Sequence, residues 1–359
     1  MHTMRTPVKV IVGLSGGVDS SVAAALLKDQ GYDVAGIMLH LWNEPGEKLD
    51  NRCCAPDAMT VASEVATRLK IPFYTIDAKE FFFNTVVKSF IDGYAQNKTP
   101  NPCLVCNQYV RWDFLLNKAL ALGARYLATG HYARAIQSET GITQLYRGVD
   151  LTKDQSYVLY ALNQFQLSRT LFPLGEMEKT EVRQLARRYN LPSAELSDSQ
   201  DLCFLENRDY RDFLSRYYPA MNTSGPILSS QGNLLGTHQG LAAYTIGQRK
   251  GLTISSLHPM YVLEKDPSRN ALIVGGIDEL GKNELIISDV NWISGSAPDF
   301  PFRAQVKIRY KARPEWAQIN ATDDGAITIG FDNLLRDITP GQAAVIYQDD
   351  ICLGGGIIC

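Results

Sequence analysis

The feature that most constrains this chain is an apolar run over 8–13 that enters a glycine loop and continues into a helix-period segment over 20–30. A buried strand, a tight turn and a helix in that order begin a parallel sheet, because the helix must cross back before the next strand can pair. The pattern then repeats. Residues 34–39 and 73–77 read as strands, 56–69 as a helix, and 80–94 as an aromatic-rich helix. After a Pro-Asn-Pro loop, 109–122 reads as a helix ending at Gly123, and 125–129 as the next strand. Such alternation predicts a Rossmann-like parallel sheet with helices on both faces.

Farther along, the period changes. Residues 152–218 are mostly helical in pattern, with segments near 156–165, 180–189 and 208–217, and Gly and Ser then cluster over 222–240 as a boundary. Beyond 284 the period becomes two, with short strands at 285–288, 302–310, 326–330 and 343–347, for which a small β-barrel is the natural closure. The expectation is an α/β chain of 359 residues: a Rossmann-like domain over 1–208, a small central domain over 209–280 and a β-barrel over 281–359.

No run approaches the about 18 apolar residues of a membrane helix. The first apolar stretch is too short for a signal peptide and leads straight into the glycine loop. A cytoplasmic location is therefore expected, where the seven cysteines are expected as thiols rather than structural disulfides. A net charge of -3 argues against a chain that is basic throughout, but nucleic acid is bound by local patches rather than by the sum.

The loop itself comprises Gly13, Leu14, Ser15, Gly16, Gly17, Val18, Asp19 and Ser20. The paired glycines let backbone approach an anion closely, and the amides of the loop and of the following helix N-terminus favour negative charge. Ser15 and Ser20 can add hydroxyl donors, and Asp19 can cap the helix or help hold a metal. No Gly-Lys-Ser/Thr follows, so this is not a Walker loop. In its strand–SGGxDS–helix setting the segment resembles the PP-loop of ATP pyrophosphatases. That resemblance implies that ATP is bound here and cleaved to AMP and pyrophosphate, with the adenylyl group activating a carbonyl oxygen.

Two polar loops carry further matches. Cys106 lies in TPNPCLVCN over 99–107, and Cys203 in SQDLCF over 199–204. Both resemble signature loops of the bacterial tRNA 2-thiouridylases, and further matches in order run from Gly13 to Ile357: ATGHY around Gly130 and His131, KDQSY from Lys153, YTIGQRKG from Tyr244, and CLGGGI from Cys352. The family resemblance implies adenylation of uracil O2 at the wobble uridine of tRNA, followed by sulfur transfer from a persulfide on Cys203. Cys106 would release that sulfur by forming a disulfide during turnover; whether the resting protein holds this disulfide is open. It further implies ATP with Mg²⁺, a tRNA partner and a persulfide donor such as a cysteine desulfurase or sulfur-relay protein. By the same carry-over Met38 and Gly130 contact ATP. Asn101, Pro102, Cys103, His131, Lys153, Asp154, Gln155, Arg309, Tyr310 and Gln342 contact the tRNA or its target base.

One position departs from the family pattern. Cys103 stands where many relatives have Asp, and a thiol cannot replace a carboxylate at neutral pH unless its pKa is depressed. Cys103 and Cys106 also form a C-x-x-C. A structural zinc usually needs two spaced pairs, and the adjacent Cys53 and Cys54 suit one tetrahedral site poorly, so no structural metal is expected. A redox pair stays open. Cys53, Cys54, Cys352 and Cys359 read as small, partly buried residues without chemistry.

The segment 303–313 holds Arg303, Lys307, Arg309, Lys311 and Arg313 without an acidic residue. Continued as a strand, it would set Lys307, Arg309, Lys311 and Arg313 on one outward face, as a phosphate-tracking surface requires. Two other classes fit parts of the sequence: a different PP-loop enzyme, such as an amide-forming ligase, and an RNA-binding or nucleotide-sensing protein without turnover.

Overall fold

The computed structural model describes residues 7–42, 44, 56–197, 202–205, 209–322, 325–336 and 338–359. Cys53, Cys54 and Arg208 lie outside them. The N-terminal layer is a parallel sheet of β1 (Lys9–Gly13), β2 (Asp33–His40), β3 (Phe73–Asp77), β4 (Tyr126–Ala128) and β7 (Thr170–Leu171), in the order β3-β2-β1-β4-β7. All four neighbouring pairs are parallel; the alternation predicted the first four strands, while β7 lies in a stretch read as helical. Helices α1 (Val18–Asp29) and α2 (Pro56–Leu69) cover one core of this sheet, and a helix over 102–121, here α4, covers the other. Chain order reverses between β1 and β4, so the loops after these two strands open a crevice at their carboxyl ends.

Two helices depart from regular winding. The helix over 79–95, α3, contains a stretch Phe83–Val87 with i→i+5 bonding, and α4 contains a longer one, Cys106–Leu115. Wide turns of this sort are frequent at functional sites. Trp112 within α4 is buried, and its indole N–H donates to Thr170 Oγ1 at 2.7 Å. Leaving that donor unpaired would cost about 1–3 kcal/mol.

The stretch read as one helix over 156–165 is two short turns, Ser156–Leu159 and Gln164–Leu167. Asp154 draws the backbone N–H of Ser156 to its side chain, and Asn163 starts the second turn with a reciprocal cap to Gln166. Between β4 and these turns lies a hairpin that the sequence reading missed: β5 (Ala133–Gln137) and β6 (Thr143–Arg147). Helix α5 (Lys179–Arg188) follows β7, and α6 (Tyr210–Tyr217) begins at the cap residue Asp209.

Residues 222–240, read as a boundary, instead hold two strands of a four-stranded sheet. It is ordered β10-β11-β8-β9, from β8 (Gly225–Ser229), β9 (Leu234–His238), β10 (Tyr261–Asp266) and β11 (Ala271–Gly275). Strands β12 (Lys282–Trp292), β13 (Phe302–Lys307), β14 (Glu315–Ala321), β15 (Ile327–Leu335), β16 (Ala343–Gln348) and β17 (Ile351–Ile358) then form a closed antiparallel barrel. Closure comes from the β12–β17 pairing, which removes both edges.

The barrel and the N-terminal layer share one core. Ile11, Trp112 and Leu127 from the first pack in the same cluster as Ala343, Val345 and Tyr347 from the second. Strand β17 pairs with β6 as well, so the hairpin extends the barrel sheet.

Candidate active site

The glycine loop leaves β1 at the crevice. Leu14 N–H donates to Ile37 O at 2.8 Å, which fixes the exit of the strand. Gly16 has φ +77°, and a Cβ there would stand 2.5 Å from Ala58 O, so the loop needs glycine at this point. Ser15 and Ser20 hydroxyls lie 3.2 Å apart, and Ser20 Oγ accepts from Ser15 N–H. Gly17 caps α1 without a side-chain bond, so the first-turn amides are oriented toward the crevice by the backbone alone. Gly130, in the loop after β4, faces the same turn: a Cβ on it would come within 2.7 Å of the Asp19–Ser20 peptide.

Asp19 neither caps the helix nor stands open to a metal. Lys179 Nζ donates to both of its carboxylate oxygens, at 2.7 and 2.8 Å, and Tyr132 OH donates to Oδ1 at 2.8 Å. Lys179 is buried at the start of α5 and also lies over the Tyr132 ring. Sequence reasoning missed this lysine, because 160 residues separate it from its partner. The signal that could have raised it is a cation beginning a helix in a chain whose glycine loop carries an acid.

A pocket beside the loop brings the main expectations together. Gly13, Leu14 and Ser15 line it, with Met38 from β2, Cys106 and Arg111 from α4, and Cys203. Met38 is buried, while Cys106 and Cys203 are half-buried. Among the described residues Cys103, Cys106, Cys203, Cys352 and Cys359 form no disulfide with one another. Burial pushes the Cys352 thiol far above its usual range, which suits a core residue; Cys359 is exposed rather than partly buried.

The loop before α4 is held by the barrel. Thr99 N–H donates to Pro340 O at 2.8 Å, and Gln342 Nε2 donates to Thr99 O at 2.7 Å. Gln342 thus spends a donor on the loop itself. Asn101 caps α4, its Oδ1 accepting from Cys103 N–H at 3.1 Å, with Pro102 at the first helical position. Cys103 is exposed and close enough to Tyr310 for its charge to matter there. Burial first, then Asp154 and Cys103, push the Tyr310 hydroxyl up to about 12.

Several residues expected on the RNA surface are turned inward. His131 is buried between Trp112 and Phe172, its Nδ1 2.8 Å from Thr129 Oγ1, and burial followed by the Arg111 charge lowers its pKa well below the usual value. It is a neutral strut of the β4 loop. Asp154 is buried too, its carboxylate accepting from Gly148 N–H, Ser156 N–H and Ser156 Oγ. Gln155 Oε1 accepts from Tyr132 N–H at 3.0 Å, so this pair shapes the surface from beneath. Lys153 is half-buried in the neighbouring turn, where its N–H donates to Asp150 O.

The outward row of four cations on one strand is not formed. Strand β13 ends at Lys307, and residues 308–312 form a turn. Arg309 folds back to donate to Ile246 O and Thr339 Oγ1, joining the central sheet to the barrel. Lys307 is half-buried beside the Tyr157 and Tyr310 rings, and its pKa is lowered by burial. Arg303 pairs with Asp332 at 2.7 Å. Lys311 on the turn and Arg313 just after it remain exposed.

No group of three or more His, Cys, Asp or Glu side chains is gathered for a metal among the described residues. No described helix is long and apolar enough to cross a membrane.

Comparison with known proteins covers this same architecture. Residues 8–207 match the model described as tRNA methyl transferase HUP domain, 211–276 the tRNA methyl transferase PRC-barrel domain, and 282–358 the aminomethyltransferase beta-barrel domain. A tRNA-specific 2-thiouridylase MnmA of Magnetococcus marinus is 45% identical over 99% of this chain and 100% of its own length. Proteins of the same name from Natranaerobius thermophilus and Clostridioides difficile are each 44% identical over 98% of this chain, and over 97% and 98% of their own. Among solved structures, a 4-thiouridine synthetase–RNA complex with bound ATP aligns over 59% of this chain and 50% of its own, at 16% identity and a TM-score of 0.37. With three successive models and full-length relatives in agreement, the chain belongs to the tRNA-specific 2-thiouridylase family.

Proposed function

We propose that this protein replaces O2 of the wobble uridine of tRNA with sulfur, using ATP to activate the oxygen and a cysteine persulfide to supply the sulfur. One observation carries the reading: a single pocket is lined by the glycine loop, Met38, Cys106 and Cys203. A phosphate cradle alone would suit an amide-forming ligase, and methyl transfer has no use for two thiols beside such a loop.

The chemistry divides among the residues as follows. Gly16, Gly17 and the first turn of α1 receive the β- and γ-phosphates of ATP, with Ser15 and Ser20 as hydroxyl donors. Uracil O2 bonds to the α-phosphorus as the bond to pyrophosphate breaks. The uridine must be flipped out of its stack for O2 to reach that atom. The terminal sulfur of a Cys203 persulfide then bonds to C2, and AMP leaves with the former O2. Cys106 thiolate attacks Sγ of Cys203, the S–S bond breaks, and its electrons stay on the base sulfur as the thiocarbonyl. The resulting Cys106–Cys203 disulfide returns to two thiols by taking two electrons from an external thiol reductant. A partner persulfide protein, a cysteine desulfurase or sulfur-relay protein, reloads Cys203.

Mg²⁺ comes with the ATP phosphates, since that ion keeps most of its waters and needs few protein ligands. The three stretches 1–208, 209–280 and 281–359 act as catalytic, linking and RNA-facing units, and the tRNA substrate places the work in the cytoplasm. Asn101, Pro102, Cys103 and Tyr310 flank the approach of the target base, and Lys311 and Arg313 meet RNA phosphates. Incubation with ATP, Mg²⁺, a cysteine desulfurase with free cysteine as persulfide source, a thiol reductant and unmodified tRNA, followed by nucleoside mass spectrometry, tests the reading. 2-Thiouridine formed only with ATP present is expected; its absence from an active preparation that binds tRNA would overturn it.

A further inference from the structure

Arg111 lines the pocket with the glycine loop and both cysteines, and none of the expected roles uses it. It is half-buried, and among the described residues its guanidinium makes no hydrogen bond or ion pair. A half-buried guanidinium with five donors is poorly satisfied unless an anion is to be held there.

The winding of α4 explains how it reaches the pocket. The lining residues of this helix are Cys106, Val110, Arg111 and Leu115. At about 100° per residue, a regular α-helix would set positions five apart about 140° from each other. With i→i+5 bonding, at roughly 4.4 residues per turn, the same separation closes to about 50°. Cys106–Leu115 is wound this way, with Leu116 N–H donating to Arg111 O. The wide turn therefore sets the Arg111 side chain on the face that carries Cys106.

We propose that Arg111 holds the α-phosphate of the adenylyl group. The pocket has the glycine loop at one side and Met38 at another, so a nucleotide spanning phosphate cradle and base contact must place its α-phosphate between them. Negative charge builds on that phosphate twice: when pyrophosphate leaves, and when AMP leaves the uracil. A planar, permanently charged fork accepts both without a proton moving. Arg111 then counts as a catalytic residue, in contact with the reacting phosphate. The proposal rests on the adenylation reading above.

The experiment compares AMP and adenosine binding by calorimetry for the wild type, Arg111→Met and Arg111→Lys. The expected result is that Arg111→Met weakens AMP at least tenfold, about the loss of one charge-assisted bond, and leaves adenosine within twofold. Arg111→Lys should recover part of the AMP affinity. With unmodified tRNA, kcat for pyrophosphate release by Arg111→Met should fall about 10²–10³-fold, while the Kd for tRNA stays unchanged. AMP affinity unchanged in Arg111→Met, or AMP and adenosine weakened equally in both variants, would overturn the assignment. So would a wild type that binds adenosine and AMP alike. The binding comparison needs no RNA, so a wild type that passes it but releases no pyrophosphate with tRNA would sink the adenylation reading while leaving the phosphate site in place.

Discussion

Exchanging Asp19 for Asn leaves the Lys179 ammonium facing a neutral amide, with only 10% of the lysine side chain exposed. Breaking a buried pair from one side costs about 3–5 kcal/mol. Asp19 is 32% exposed, and the water on that side trims the figure to about 2–3 kcal/mol. Unfolding entropy of about 2.1 cal/mol/K per residue over the stretch 8–207 comes to about 0.4 kcal/mol/K, so Tm should fall by about 5–7 °C. Lys179→Met should cost less, about 1–2 kcal/mol, because Asp19 keeps the Tyr132 hydroxyl and contact with water. The double variant Asp19→Asn/Lys179→Met should return to within about 1 kcal/mol of wild type, since no buried charge is then left unpaired. Turnover should not return with it. Differential scanning fluorimetry gives the stability cycle, and pyrophosphate release with tRNA gives the activity of the same four proteins. An Asp19→Asn protein that melts with the wild type, or a double variant that regains turnover, would refute the view that this pair both stiffens the loop and serves the phosphates.

Cys203→Ser should lose enzyme-bound sulfur and thiolation yet still release pyrophosphate with tRNA, whereas Cys106→Ser should load sulfur and stall. Cys103→Ser should keep most activity; a Cys103–Cys106 disulfide trapped as the main product of one turnover would contradict this. Lys311→Ala should reduce the salt slope of tRNA binding by about 0.7–0.9, read from affinities across a salt series. Arg309→Ala should instead lower Tm, because its bonds to Ile246 and Thr339 are internal. Burial lowers Lys265 from 10.5 to about 8, and its Nζ has no hydrogen-bond partner among the described residues. Between those two values the unfolded chain binds the extra proton, so stability contributed by this site rises with pH through that window. Lys265→Met should therefore raise Tm at pH 7 and flatten its rise above pH 8.

The first four strands of the parallel layer were legible because each carries its own period, whereas β7, only two residues long, has too short a period to show; the glycine loop names the strand end where ligands gather. The barrel strands were legible for the same reason at period two. What was hidden depends on long-range partners. The β5–β6 hairpin is short, carries Arg134 and Arg147, and gains its place by pairing with β17 some two hundred residues on. Arg309 looked like a strand cation because nothing local shows that β13 stops at Lys307. Asp154 and His131 read as surface contacts, since a short motif does not reveal which side chains distant elements will cover: Ser156 and the barrel's Tyr347 in one case, Trp112 and Phe172 in the other. Lys179 and Arg111 were missed for complementary reasons: one meets its partner across 160 residues, and the other is brought round by a helix winding that no local pattern announces.

The clamp between the barrel turn and the loop before α4 also bears on synthesis. Thr99 is gripped by Pro340 and Gln342, and a Cβ on Gly341 would stand 2.9 Å from Thr99 N, so the two backbones lie in direct apposition. On a ribosome the loop leading to Cys106 emerges early, and more than two hundred further residues must follow before its support exists. Domains generally fold in the order they are made, so the glycine loop can form while the loop before α4 still lacks its anchor. In that interval the N-terminal layer also lacks the barrel side of its core, so the finished shape of the crevice arrives only with the last strands of the barrel.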